Sequence, residues 1–136
     1  MQTYSFEVTP WHASGVKRVL ELPADHTVEQ LHLAIQHAFD LDNRHSYAFF
    51  FNNELWDEDF AYGGRKSQFH DAGAKRLEEL SLIPKKRFLY LFDFEEELKF
   101  EVRVQRSGLT RAGQTYPRVV DSVRRPRACS LHIRRT

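Results

Sequence analysis

The chain has 136 residues and a formal net charge of +1; 41% of its residues are hydrophobic and 13% are aromatic. A chain of this size and composition is expected to fold as one globular domain with an aromatic-rich core that needs neither disulfides nor a metal. The single cysteine, Cys129, excludes an internal disulfide, and the lack of a signal peptide or of an apolar run of roughly 20 residues predicts a cytoplasmic protein without a membrane partner.

The first predicted elements are two strands and a helix. Tyr4–Val8 alternates apolar and polar side chains, as a half-buried strand does, and Val16–Leu22 is the second strand of an expected hairpin. Thr27 and Gln30 form a capping box at the start of a helix over residues 28–39, whose apolar side chains gather on one face. This helix is the strongest element in the sequence.

The middle of the chain is less regular. Tyr47–Phe51 has aromatic residues on both faces, which predicts an interior strand covered on two sides. Residues 54–73 show no clean period, so we expect a long loop there with a short strand near Trp56. Ala74–Leu80 is predicted to form a short second helix.

Two further strands follow, at Phe88–Phe94 and Leu98–Val104, and their patterns predict an antiparallel hairpin. The three glutamates Glu95–Glu97 lie between them. They could bind a divalent cation, but adjacent turn residues point in different directions and no calcium-loop motif is present. We therefore expect a solvated turn that keeps an apolar hairpin soluble.

These elements predict an α+β fold. The order ββα-β-α-ββ favours a single mixed or antiparallel sheet with one main helix packed across it, similar to a β-grasp. We divide the chain into a domain over residues 1–122 and a basic C-terminal tail over residues 123–136, which we expect to be flexible.

The charge is unevenly distributed along the chain. Residues 1–102 carry a net charge of −7, whereas residues 103–136 contain nine arginines and one acidic residue, Asp121. This asymmetry fits either a nucleic-acid-binding segment or a basic segment that lies against its own acidic domain. Since Tyr116 is the only aromatic residue nearby, the predicted nucleic-acid contacts are to phosphates and not to bases. The candidates are Arg118, Arg124, Arg125, Arg127, Arg134 and Arg135.

Three segments carry a resemblance to a known family. They are LELPADHTVEQLHLAIQHAFDLDNRHSYAFFF (residues 20–51), FLYLFDFEEELKFEV (residues 88–102) and YPRVV (residues 116–120). In this order the three segments resemble the plasmid pRiA4b ORF-3-like protein family, including its branch encoded within insertion sequences. The resemblance extends from Tyr4 to about Ser122. The resemblance implies a fold and a link to plasmids or other mobile elements, and it implies no reaction.

The chain also departs from the family pattern. Leu98 stands where the family has a Trp after the hairpin turn, Glu95–Glu97 replace a Gly-Asp turn, and Val16 replaces the Trp of a Trp-Arg-Arg pattern that Lys17 and Arg18 still match. If those tryptophans line a groove, this chain has a modified one. After Val120 the likeness stops.

Four residues form the candidate ligand-binding set. Asp93 interrupts a predicted buried strand, so we expect it to accept hydrogen bonds from backbone N–H groups or to pair with a basic residue such as Arg18. His45 matches the family pattern and precedes the aromatic strand that begins at Tyr47. The candidates are His45, Asp93, Arg18 and Tyr47.

Catalytic and metal chemistry are weakly supported. His12, His45 and His70 lie in predicted loops and could converge on zinc, but nothing in their spacing requires it. We assign no metal, no cofactor and no catalytic residue. The sequence favours a non-catalytic binding or regulatory module whose partner is a protein or a nucleic acid, with the oligomeric state open. The alternative is a metal-dependent or hydrolytic enzyme that uses a cleft between the 54–73 loop, His45 and Asp93.

Overall fold

A computed structural model describes residues 2–13, 15–42, 45–65, 67–111 and 113–124, with the backbone alone for residues 121–124. Within these ranges there are eight strands, one α-helix and three short 3₁₀ turns. The strands are β1 (Gln2–Pro10), β2 (Val16–Pro23), β3 (Tyr47–Phe50), β4 (Ala61–Gly63), β5 (His70–Asp71), β6 (Arg87–Phe92), β7 (Leu98–Leu109) and β8 (Arg118–Arg124). The helix α1 is Val28–Ala38, and the 3₁₀ turns are Glu58–Phe60, Ala72–Ala74 and Leu77–Glu79.

The strands form a single sheet with the order β5-β4-β3-β6-β7-β1-β2-β8. All neighbours pair antiparallel except β4 and β5, which are parallel. This confirms the predicted α+β class, with one mixed sheet and one main helix. In the described part of the chain, no helix is long and apolar enough to cross a membrane.

The predicted hairpins and inner strands are present. β1 and β2 pair from Thr3 opposite Pro23 to Val8 opposite Arg18. β3 and β6 lie side by side as inner members of the sheet. β6 and β7 pair as a hairpin, and the glutamates Glu95–Glu97 are exposed in the turn that joins them.

The predicted second helix is wrong. Residues 74–80 contain only the end of one 3₁₀ turn and another at Leu77–Glu79, and Arg76 between them is extended. The backbone N–H of Leu77 donates to the carbonyl of His26 at 2.8 Å, and that of Glu78 donates to Ala24 at 2.9 Å. These bonds to the segment before α1 satisfy the groups that an α-helix would have used.

Two other elements differ from the sequence-based expectation. The 54–73 region contains β4 and β5, and its strands do not include Trp56. β8 was not predicted as a strand. It pairs along β2, and its last residue, Arg124, lies opposite Val16, so the backbone remains in the sheet two residues beyond the predicted domain boundary.

The two faces of the sheet are covered differently. α1 packs on one face, where Leu31 and Ile35 join Tyr90 in the larger buried cluster. Since successive strand residues point to opposite faces, Leu91 belongs instead to a smaller cluster with Phe69. The smaller cluster lies on the face of β3, β4 and β6 that points away from α1, and the segment between β3 and β5 covers it.

Along β7, β1 and β2, residues of the larger cluster alternate with residues that point away from α1, and many of the latter are charged. We call this surface the charged face, and we include the adjoining residues of β6 and β8. It is defined by Glu7, Lys17, Glu21, Arg87, Lys99, Glu101, Arg103, Arg106 and Arg118.

Candidate functional site

A cavity of about 330 Å³ opens beside the start of β3. Tyr47, the first residue of β3, pairs with Phe92 at the end of β6, so the segment before β3 meets the β6–β7 turn. The pairing thereby brings His45, Tyr47 and Asp93 to the same end of the sheet. The cavity is lined by His45, Ser46, Tyr47, Gly64, Ser67 and Phe94.

Asp93 organises the turn beside this cavity. One carboxylate oxygen, Oδ1, accepts hydrogen bonds from the backbone N–H of Glu95 at 3.1 Å and of Glu96 at 3.4 Å. The other oxygen, Oδ2, lies 3.2 Å from Nδ1 of His45. The predicted acceptance of backbone N–H bonds is confirmed, but Asp93 does not interrupt a strand, because β6 ends at Phe92 and Asp93 begins the turn.

The two serines of the cavity are also engaged with the backbone. Ser46 Oγ accepts from the N–H of Phe94 at 2.9 Å. Ser67 Oγ donates to the carbonyl of Gly64 at 2.7 Å and accepts from the N–H of Phe69 at 3.2 Å. Among the described contacts, neither hydroxyl bonds to His45, so the arrangement of an activated serine nucleophile is not formed.

A buried aromatic stack adjoins the cavity. The rings of His32 and Tyr47 are parallel with centroids 3.5 Å apart, and Nδ1 of His32 is hydrogen-bonded to the Tyr90 hydroxyl at 2.7 Å. Burial lowers the pKa of His32 from 6.5 to about 4. Burial, followed by the nearby charges of Glu29 and Asp71, raises the pKa of Tyr47. At neutral pH the stack is therefore uncharged, and the Tyr47 hydroxyl finds no hydrogen-bond partner among the described residues.

His32 was not singled out as a site residue from the sequence. Its position at the border of the apolar face of α1 was the available signal. That signal predicts burial at a helix edge, but it does not say which strand residue the ring will meet.

Arg18 lies away from the cavity. The strand register places it on the same row as Phe88, three strands away across β1 and β7, and Phe88 precedes Asp93 by five residues. Its guanidinium carbon lies 5.3 Å from the centroid of the Phe39 ring. The suggested pairing of Arg18 with Asp93 is therefore wrong, because the sheet holds the two residues too far apart.

The loop histidines do not form a metal centre in the described part of the chain. No group of three or more His, Cys, Asp or Glu side chains there is placed to hold a metal ion. His70 packs against the ring of Tyr62, with centroids 5.1 Å apart. Convergence of His12, His45 and His70 was left open by the sequence, and the described residues do not show it.

The candidate nucleic-acid-binding arginines divide into two groups. Arg118 lies in β8, where its Nε donates to Oε1 of Glu21 at 2.8 Å, and Arg124 is the last residue of that strand. The others lie outside the described residues, as does Cys129. Those others are Arg125, Arg127, Arg134 and Arg135.

The chain is thus an α+β protein with one long mixed sheet, a helix on one face, and a small cavity where β3 meets the β6–β7 turn. Residues 5–128 match the model of the plasmid pRiA4b ORF-3-like protein family, and the chain belongs to that family. The match extends a few residues beyond Ser122, where we expected it to end.

The fold is similar to that of a solved structure. The solved structure is that of a protein of unknown function from Methanosarcina mazei Go1, with a TM-score of 0.75 and 19% sequence identity over 89% of this chain and 68% of that chain. No match is found among curated proteins.

Proposed function

We propose that the chain is a non-catalytic binding or regulatory module that acts in the cytoplasm in plasmid or other mobile-element biology. Its partner, a protein or a nucleic acid, contacts the charged face and the arginine-rich C-terminal segment. The family description supports the plasmid link. The basic composition of residues 103–136 supports contact with an acidic partner.

One observation carries the non-catalytic part of this proposal. Three polar side chains in or beside the cavity make structural bonds: Asp93 holds the β6–β7 turn, and Ser46 and Ser67 bond to backbone groups. A general base or nucleophile must reach the substrate atom with which it reacts. Groups already engaged with the backbone are poorly suited to that role.

An enzyme remains the second candidate, because His45 pairs with Asp93 at the rim of a cavity. A carboxylate that orients a histidine is a common arrangement in acid–base and metal sites. Stoichiometric zinc in the purified protein, lost in His45→Ala and retained in the matched loop variant His70→Ala, would favour the enzyme.

Binding is tested by fluorescence anisotropy with a labelled 20-nucleotide single-stranded DNA at several salt concentrations. We compare the full chain with a chain that ends at Arg124, which leaves β8 intact. Removal of the four C-terminal arginines is expected to reduce the slope of log K against log salt by up to about 3. Equal slopes for the two chains would contradict a role for the C-terminal segment.

A further inference from the structure

Arg87 and Arg103 lie directly opposite each other in the β6–β7 pair. Val102 and Val104, which flank Arg103 in the strand, belong to the larger cluster under α1, so the arginine points to the charged face. Opposed residues of antiparallel strands have Cα atoms about 5 Å apart. Two like charges at this separation destabilise a sheet unless a counter-charge is shared between them.

A β-bulge adds a third arginine to the same face. In the β1–β7 pair Phe6 lies opposite Val104 but Ser5 lies opposite Arg106, so Gln105 is an extra residue. Residues 103 and 106 would face opposite sides of a regular strand, because side chains alternate. The bulge shifts this alternation by one residue and aligns Arg106 with Ser5 on the charged face.

The three arginines differ from other cations of this surface in lacking a carboxylate partner. Lys17, Arg118 and Lys99 form ion pairs with Glu7, Glu21 and Glu97 at 3.3, 2.8 and 3.6 Å. Within the described ranges, no carboxylate oxygen lies within 4.0 Å of the guanidinium nitrogens of Arg87, Arg103 or Arg106. Glu101, two residues before Arg103, belongs to no ion pair there either. The side chains of Arg87 and Arg106 are exposed, and that of Arg103 is partly exposed.

An aromatic side chain lies at the other end of β7. Trp11 is 55% exposed, and Nζ of Lys99 lies 5.5 Å from the centroid of its ring. Lys99 and Arg103 are on the same face of the strand and about 13 Å apart along it. The surface therefore offers cations at one end and an exposed ring at the other, a combination used to hold phosphates and stack bases of single strands.

We propose that Arg87, Arg103 and Arg106 bind the phosphate backbone of a single-stranded nucleic acid, with Trp11 stacking on a base further along the strand. The proposal rests on the binding-module function and names its partner class and its contact residues. Arginine suits this role because its planar guanidinium group forms paired hydrogen bonds with phosphate oxygens. A nucleic acid is favoured over an acidic protein because the exposed Trp11 ring provides a base-stacking surface beside the cations.

The test uses the same anisotropy titration with a triple variant, Arg87→Gln, Arg103→Gln and Arg106→Gln, in the full chain and in the chain that ends at Arg124. The matched control is Arg65→Gln, Lys75→Gln and Arg76→Gln, which removes equal charge from residues off the charged face. The triple variant is expected to weaken binding about 10- to 100-fold near 0.1 M salt and to reduce the salt slope by about 2. The control is expected to change the slope far less.

A second variant gives an independent measurement. Trp11→Ala is expected to weaken binding without changing the salt slope, since stacking releases no counterions. If the triple variant and its control have equal slopes while truncation still lowers the slope, the assignment of the three sheet arginines as phosphate contacts is wrong. The proposed binding function would then be retained, with the C-terminal segment as its contact. If neither DNA nor RNA binds to the full chain, the nucleic-acid proposal fails, and the binding module is left with a protein as its partner. Tighter binding of poly-glutamate than of DNA would overturn the nucleic acid as partner.

Discussion

At the scale of single residues, His32 links the helix to the sheet. Its ring stacks on Tyr47 in β3, and its Nδ1 bonds to Tyr90 in β6, so one side chain contacts two inner strands. A buried polar group is tolerated when it is hydrogen-bonded, and this one also contributes ring packing. The neutral form of the His32 imidazole is the form that this buried site favours.

The lowered pKa of His32 predicts acid sensitivity. Because the unfolded chain binds a proton near pH 6.5 and the folded chain near pH 4, the unfolded state binds more protons between these values. The free energy of unfolding should therefore fall as pH decreases from 6.5 to 4, by on the order of 3 kcal/mol from this residue. Urea unfolding at pH 7, 5.5 and 4.5 measures the effect.

The control for this prediction is on the same helix. His37 is exposed, so His37→Gln should keep the acid dependence of the wild type, whereas His32→Gln should be less stable at pH 7 but lose less stability on acidification. Identical pH dependence in His32→Gln and wild type would contradict the assignment.

At the scale of elements, the β6–β7 turn combines two strained positions. Asp93 has φ +63° and Glu97 has φ +52°, a region that L-residues other than Asn and Asp seldom occupy. At Asp93 the hydrogen bonds from the turn to its side chain offset this strain. Glu97 has only a 3.6 Å pair with Lys99, with the glutamate side chain 46% exposed, and surface pairs of this kind contribute little.

Glu97→Gly is therefore expected to stabilise the protein by about 1 kcal/mol, because glycine adopts positive φ without a Cβ clash. The matched control is Glu96→Gly. Glu96 is also exposed in the turn, and its φ is not positive, so added chain entropy should lower stability by about 0.5 kcal/mol. Thermal unfolding monitored by circular dichroism compares the two, and a lower midpoint for Glu97→Gly than for wild type would contradict the argument.

The elements that were predicted well are those with their own periodicity. α1 and β1, β2, β3, β6 and β7 have regular apolar patterns, and each is found close to its expected position. The misassigned segment, residues 74–80, has a helix-like pattern, but the backbone N–H groups of Leu77 and Glu78 bond to residues 26 and 24. β8 was missed because residues 118–124 lack a regular apolar alternation of their own.

At the scale of the whole molecule, the larger buried cluster joins residues of α1 to β1, β2, β3, β6 and β7. Every described element of this set shares that one cluster, so the domain is expected to unfold in one cooperative step, with equal calorimetric and van't Hoff enthalpies. Leu31→Ala should shift the whole transition by about 3 kcal/mol, as removal of a buried leucine usually does.

The matched control is Leu33→Ala, because Leu33 lies on the same helix but is 51% exposed. It should cost well under about 1 kcal/mol. Two separate transitions in differential scanning calorimetry of either variant would show that the sheet and helix do not share one cooperative core.

The sequence by itself determined the α+β class, the helix, the two hairpins and the solvated glutamate turn, because short-range periodicity and turn chemistry control those features. The tertiary structure alone decided that His45, Tyr47 and Asp93 meet while Arg18 does not, and that a bulge brings Arg103 and Arg106 to one face. These facts depend on strand order and register, which are selected by packing between segments far apart in the chain.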